Sequence, residues 1–239
     1  MQGFIFQSIV RPPAELIDPF MDLSVATVYE VCGGRNLLDP GIHSLYSGNK
    51  VCGPAITCVV EPGDNLFVHK ALSIAQAGDV IIVDGGGRLK AALWGNIMSQ
   101  AAIARGVNGV IVNGAVRDLA DIHKLRFPVW CRGVCAAGPS KERVGAINIP
   151  IQFGKTVVNP GDLLLADDDG VISIAKDELA EVLKAGQKRI NTEADFAEHL
   201  QDGDTTIHLL GLENNLSKLD LREWDISFQE WRKRVISEE

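Results

Sequence analysis

Arg117 and Asp118 stand side by side after the apolar run GVIVNGAV, and Asn96 precedes them with twenty residues between. An arginine offers a planar, permanently charged fork for a carboxylate or a developing enolate. An aspartate is a hard oxygen ligand of the kind Mg²⁺ takes in small number while keeping several waters. Asn96 follows Gly95 at what reads as a helix start, where free backbone amides favour anions. With Asn96 as the cap, the amides of Ile97 and Met98 would hold a carboxylate. A surface Arg–Asp pair and an ordinary helix cap are the competing readings. Spacing alone leaves the two evenly matched.

For these residues to meet, one helix and one strand must bring the chain back to the same sheet edge. DVIIVD (79–84) carries four consecutive β-branched residues, and GVIVNG (109–114) is of the same kind. Both read as strands covered on both faces. A helix over about 97–105, stopped by Gly106, lies between them. Upstream, VCGPAITCVV (51–60) reads as a strand, with Gly53-Pro54 marking a bulge or an edge. Asp64 is the expected cap of a helix to about Gln76, with Phe67, Ala71, Ile74 and Ala75 at helical spacing. This succession predicts right-handed crossovers and a parallel or mixed sheet, an α/β protein.

The flanking segments read more simply. Residues 1–22 form an arm with the breaker Pro12-Pro13, and Ser24 caps a short helix stopped by Gly33-Gly34. After a helix over 119–124, FPVWCRG is strand-like. From Val144 the β segments shorten, and Asn159-Pro160-Gly161 and Asp167–Gly170 are turn signals that predict hairpins. Asp177 caps a helix through about His199, with Leu179, Val182, Leu183 and Ile190 towards one face. The central body therefore spans 23–200. The extension 201–239 holds Trp224, Phe228 and Trp231, too apolar for a solvated tail, and is expected to pack on its own body or a neighbour.

Against 31 acidic residues stand 23 Lys and Arg, a net charge of −8. That excludes broad nucleic-acid binding and requires a locally positive pocket for any anionic substrate. No signal segment or membrane-length apolar run is present, so a cytoplasmic protein without a membrane partner is expected. Five cysteines, an odd count, are read as reduced thiols, and the Cys131–Cys135 spacing is not that of a zinc finger. Gly85-Gly86-Gly87 invites a phosphate loop, but neither the Gly-x-Gly-x-x-Gly spacing nor a following Gly-Lys-Ser/Thr is present.

Taken together, PGDNLFVHKA (62–71), GDVIIVDGGG (78–87), ALWGN (92–96), ARGVNGVIVNGAVRD (104–118) and ADDDGV (166–171) resemble the RraA-like superfamily, over roughly residues 20–195. That superfamily includes metal-dependent 4-hydroxy-4-methyl-2-oxoglutarate / 4-carboxy-4-hydroxy-2-oxoadipate aldolases and ribonuclease E regulators. The resemblance implies a swivelling β/β/α fold of three layers, related to phosphohistidine domains, assembled as homotrimers or homohexamers with sites between subunits. It implies that Asp118 binds Mg²⁺ or Mn²⁺ and that Arg117 contacts the pyruvyl oxygens of a 2-oxo acid. Gly95, Asn96, Ile97 and Met98 would form the carboxylate-binding helix start. The ion would act as a Lewis acid on an enolate, which also accounts for oxaloacetate decarboxylation. Where these aldolases carry an acid, this chain has Asn96, which caps and hydrogen-bonds but adds no negative charge. A Glu borrowed from a neighbouring subunit corresponds best to Glu193.

Arg88, beyond the glycine loop, is a candidate for a distal substrate carboxylate. His69 is read as a packing or interface residue, His43 as a surface residue, and His123 as lacking a second ligand. Asp167–Asp169 is read as a hairpin turn rather than a metal cluster. The leading expectation is a metal-dependent carbon–carbon lyase releasing pyruvate or decarboxylating oxaloacetate. Two alternatives stand beside it. One is a different metal-assisted lyase or hydrolase, prompted by Asn96. The other is a non-enzymatic ring regulating ribonuclease E.

Overall fold

Successive residues of a strand point to opposite faces, and the buried run from Val80 to Val83 divides accordingly. Ile81 and Val83 pack with Val68, Leu72, Met98 and Ile122, whereas Val80 and Ile82 pack with Ile151, Phe153, Val158 and Leu164. A strand covered on both sides needs this unbroken apolar run. The computed structural model describes residues 2–236, with side chains through Arg234; Met1 and 237–239, the outer ends of the expected arm and extension, lie outside the described residues.

The chain runs β1 (Phe4–Ile5), α1 (Ala14–Ile17), a 3-10 turn (Asp18–Asp22), α2 (Val25–Val31), β2 (His43–Ser44), β3 (Val51–Val59), α3 (Leu66–Ile74), β4 (Val80–Asp84) and β5 (Ala92–Trp94). It continues with α4 (Asn96–Ala104), β6 (Gly109–Val116), α5 (Leu119–Leu125), β7 (Val129–Val134), β8 (Ala146–Ile147), β9 (Ile151–Phe153), β10 (Thr156–Val158), β11 (Leu163–Asp167), β12 (Gly170–Ile174) and α6 (Leu179–Gln201). Three shorter helices follow, α7 (Thr206–Leu209), α8 (Glu213–Leu216) and α9 (Phe228–Ile236).

Ten strands form one mixed sheet with the order β1-β8-β3-β4-β6-β7-β2, to which β11, β12 and β5 attach at the sides. The centre is parallel, β3 to β4 to β6 to β7, while β8 and β11 run antiparallel to β3. Helices α3, α4 and α5 cover one face; β9 to β12 supply the apolar cover of the other, giving a β/β/α layering. A third cluster packs α2 and the first turns of α6 on β11 and β12, with Leu179 and Val182 buried and Leu183 and Ile190 beside them. Ser24 caps α2 as expected, its hydroxyl accepting the Thr27 N–H.

Gly53-Pro54 makes no bulge, its register with β11 being unbroken, and it is paired on that side only, an edge position within β3. Pairing passes from β11 over Val51–Pro54 to β4 over Ala55–Val59, and a Cβ at 53 would lie 2.2 Å from the Gly78 carbonyl oxygen. Asn159-Pro160-Gly161 connects β10 to β11 without pairing them; the hairpins are β9–β10 and β11–β12.

The chain divides into a unit through Ile190 and a second from Asn191, a division that falls inside α6. In the second unit Trp231 lies between Trp224 and Phe228, with ring centroids at 5.8 and 5.7 Å. All five cysteines are free thiols; burial pushes Cys52 up to about 12 and Cys131 up to about 11.

Candidate active site

The helix α4 begins one residue earlier than an Asn96 cap requires. Gly95 is the cap, in extended conformation, and Asn96 is the first helical residue, its side chain making no capping bond. The capping oxygen comes instead from Asp118, whose Oδ2 accepts the Asn96 backbone N–H at 3.0 Å. A carboxylate there also opposes the positive end of the helix dipole. Glycine is what allows it: a Cβ at 95 would lie 2.7 Å from Asp118 Oδ2 and 3.2 Å from Arg117 Cγ. The Asn96 side-chain oxygen is left buried and without a hydrogen-bond partner.

Strand geometry brings the other half of the site to the same edge. β5 pairs with β6, and the Arg117 N–H donates to the Trp94 carbonyl. Directly after, Asp118 adopts the left-handed conformation (φ 61°, ψ 37°), which aspartate tolerates better than most residues. Arg117 Nε lies 3.6 Å from Asp118 Oδ2, and both side chains are more than a third exposed. Such a pair is worth little to stability. Trp94 is buried behind the cap; its indole N–H donates to Ser99 Oγ at 2.8 Å, and Ser99 bonds the Gly95 carbonyl.

Arg117, Asp118, Gly95, Ile97 and Met98 line one cavity of about 220 Å³. The first amides of a helix have no intrahelical acceptor. With that of Asn96 taken by Asp118, those of Ile97 and Met98 are available to an anion. Asn65, His69 and Lys141 share the cavity wall. His69, read from sequence as packing, stands at the rim. Partial burial and the charge of Lys141 lower its pKa and favour the neutral ring. The signal for it in the sequence is the four-residue spacing from Asn65 at the head of α3, which puts both on one helix face.

Asp64 fixes that corner. Its Oδ1 accepts the Leu66 N–H, and its Oδ2 accepts from Ser140 Oγ, Glu142 N and Arg143 N at 2.7 to 3.1 Å, tying down the loop that carries Lys141. Burial alone would raise its pKa, but these bonds prevail and hold it below the usual carboxylate value. Arg117 and Lys141 against Asp118 give the locally positive pocket that an anionic substrate needs in an acidic protein.

The remaining candidates fall elsewhere. Arg88 lines a separate cavity of about 230 Å³ with Pro62, Gly63, Lys90 and Ala91. Glu193 belongs to the second unit. The amides of Gly85 and Gly87 donate to the Asn113 carbonyl and that of Gly86 to Asp84, so the triple glycine is folded on its own strand ends and offers no phosphate cradle. His123 packs on the Tyr46 ring. Asp167 accepts the Val25 N–H and Asp168 those of Ser47 Oγ and Gly48 N, structural roles at the β11–β12 turn. Larger cavities lie beside Arg11 and Lys50 (about 460 Å³) and beside Arg35 and Lys155 (about 660 Å³), but neither joins a helix start to an exposed Arg–Asp pair.

No group of three or more metal-ligating His, Cys, Asp or Glu occurs among the described residues. The cavity does present a hard oxygen donor, the Asp118 carboxylate, whereas Asn96 is not among the residues that line it and its amide oxygen is buried. A single carboxylate fits an ion such as Mg²⁺, which accepts few protein ligands and keeps its waters.

Known proteins resemble this chain in sequence and in fold. A Halalkalibacterium halodurans protein provisionally named 4-hydroxy-4-methyl-2-oxoglutarate aldolase is 37% identical over 181 residues, covering 75% of this chain and 86% of its own. Among solved structures, an unusual member of the RNase ES inhibitor RraA protein family from Streptomyces coelicolor superposes with a TM-score of 0.71 at 28% identity, covering 79% of this chain and 99% of its own. The RNA-processing inhibitor RraA of Thermus thermophilus gives 0.59 at 30% identity, covering 63% and 92%. The family model for Aldolase/RraA matches residues 14–173, from the arm through the last sheet strand and across every residue that lines the cavity, and the chain belongs to that RraA-like family.

Proposed function

We propose that the protein is a divalent-metal-dependent lyase acting on a 2-oxo acid, by retro-aldol cleavage that releases pyruvate, by oxaloacetate decarboxylation, or by both. The observation that carries this reading is the Asp118 carboxylate seated on the N-terminus of α4 beside Arg117, in a cavity whose other charge is the cation Lys141. The relative named as an aldolase supports it. The amides of Ile97 and Met98 bind the substrate's C1 carboxylate. The Arg117 guanidinium binds the 2-oxo oxygen and stabilises the negative charge that grows there as the C3–C4 bond breaks. Asp118 holds Mg²⁺ or Mn²⁺; when bound, the ion supplies Lewis-acid charge at the 2-oxo group. Asn96 adds no negative charge beside Asp118, so affinity for the ion is weaker than an acid at that position would give. Glu193 of a neighbouring copy in a trimer or hexamer completes the site.

Purified protein should turn over oxaloacetate or one of the two hydroxy-oxo acids, 4-hydroxy-4-methyl-2-oxoglutarate and 4-carboxy-4-hydroxy-2-oxoadipate. Activity should vanish with chelator and return with Mg²⁺ or Mn²⁺. No metal-dependent turnover of any of the three sinks the reading. The similarity to RNA-processing inhibitors favours a second one, a regulatory ring that binds ribonuclease E. Calorimetric metal binding without capture of ribonuclease E eliminates it; capture without metal binding reverses the order of the two.

A further inference from the structure

Retro-aldol cleavage needs a group the reading above leaves unnamed, one that removes the proton of the substrate's C4 hydroxyl. Among the described residues four titratable side chains line the cavity: Arg117, Lys141, Asp118 and His69. Arg117 and Lys141 are cations and carry no free electron pair at neutral pH. Asp118 is engaged by the Asn96 N–H and faces Arg117, both of which weaken it as a base. His69 remains. Its ring nitrogens make no hydrogen bond among the described residues, and the positive charge of Lys141 favours the neutral form.

One turn earlier on the same helix face, Asn65 is 4% exposed. Its amide nitrogen is committed to the Leu93 carbonyl at 3.1 Å and to Met98 Sδ at 3.6 Å. Its side-chain oxygen is buried without a partner. The two bonds of the amide nitrogen tie the head of α3 to β5 and to α4, and so fix where His69, one turn on, stands against the α4 N-terminus.

Resting on the lyase reading, we infer that His69 is the base for the C4 hydroxyl, making this wall the determinant that separates hydroxy-oxo acids from oxaloacetate. The imidazole takes the hydroxyl proton, the C4–O bond becomes a carbonyl, and the C3–C4 electron pair passes to C3 as the pyruvate enolate. The imidazolium then returns the proton to C3, so atoms and charge balance without a further reactant. Oxaloacetate has no such hydroxyl; its C3–C4 pair is released as carbon dioxide leaves, and no base is needed to start.

The test compares two substrates on one variant, in the full-length protein with metal present. His69→Asn should lose on the order of 10²- to 10⁴-fold in kcat on the hydroxy-oxo acid, the range for a general base. Its loss on oxaloacetate should be far smaller. Added imidazole should restore part of the hydroxy-acid turnover of His69→Ala and leave the oxaloacetate rate as it was. His69→Gln, closer in length, serves if either variant fails to fold. Equal losses on both substrates, or none on either, overturn the assignment of His69. Wild-type protein inert towards every substrate overturns the lyase reading, and this inference with it.

Discussion

Two Arg–Asp pairs sit at opposite ends of the parallel strands, and they differ in what is left over. Arg11 and Asp79 meet just before β4. The guanidinium grips both carboxylate oxygens at 2.8 Å, the Gln76 N–H adds a third bond, and Asp79 is wholly buried. Arg117 and Asp118 meet just after β6, 3.6 Å apart and partly in solvent. The first pair has spent its hydrogen-bonding capacity in pinning the N-terminal arm. The second has most of it free, beside a helix start. Chemistry needs unspent valence; anchoring needs the opposite.

The largest effect should come from breaking the closed pair. Arg11→Ala leaves a buried carboxylate unpaired and should cost about 3–5 kcal/mol of stability, read as the shift in urea midpoint. Turnover per folded molecule should be little changed. Full stability in this variant would refute the anchoring role. Arg117→Ala should do the reverse, lowering kcat/KM on the order of 10²- to 10³-fold as loss of one charge-stabilising donor does, with the melting temperature held. Were both variants to lose only stability, the contrast between the ends would collapse.

Gly95→Ala sharpens the comparison at the open end. The new methyl group meets Asp118 Oδ2 at 2.7 Å, so the carboxylate must move off the α4 cap. A shift of that kind should lower kcat on the order of 10²-fold and weaken Mg²⁺ binding in a calorimetric titration. Unaltered metal affinity would dissociate Gly95 from Asp118.

The smallest expected effect concerns Asp64. Its carboxyl is held below its ordinary value of about 3.9, so the ionised form stabilises the fold above that pH. The contribution is lost as pH falls through the lowered folded-state value. Asp64→Asn should therefore flatten the acid limb of a stability-against-pH profile. An unchanged limb would remove Asp64 from the clamp on the Lys141 loop.

The sequence by itself determined the parts with a local cause. Four β-branched residues from Val80 to Val83 can only be a strand covered on both faces, and Ser24 ahead of VATVYEV can only cap. The Asn96-to-Arg117-Asp118 spacing follows from one helix and one strand, so the site's two halves were legible before any coordinates. What the tertiary structure decided depends on residues distant along the chain. Gly95 rather than Asn96 is the cap because a carboxylate 23 positions later fills the space a side chain would need. Position 53 takes a glycine because the Gly78 carbonyl packs against it. Arg11 and Asp79, 68 residues apart, carry no mutual signal in sequence. The Asn65–His69 spacing puts both on one helix face, but only the loop held by Asp64 shows that this turn borders a cavity. Period and composition specify elements, since they act over one or two turns. Contact between elements is set by backbone approach and by which buried polar atoms find partners, and neither is written in any short stretch of chain.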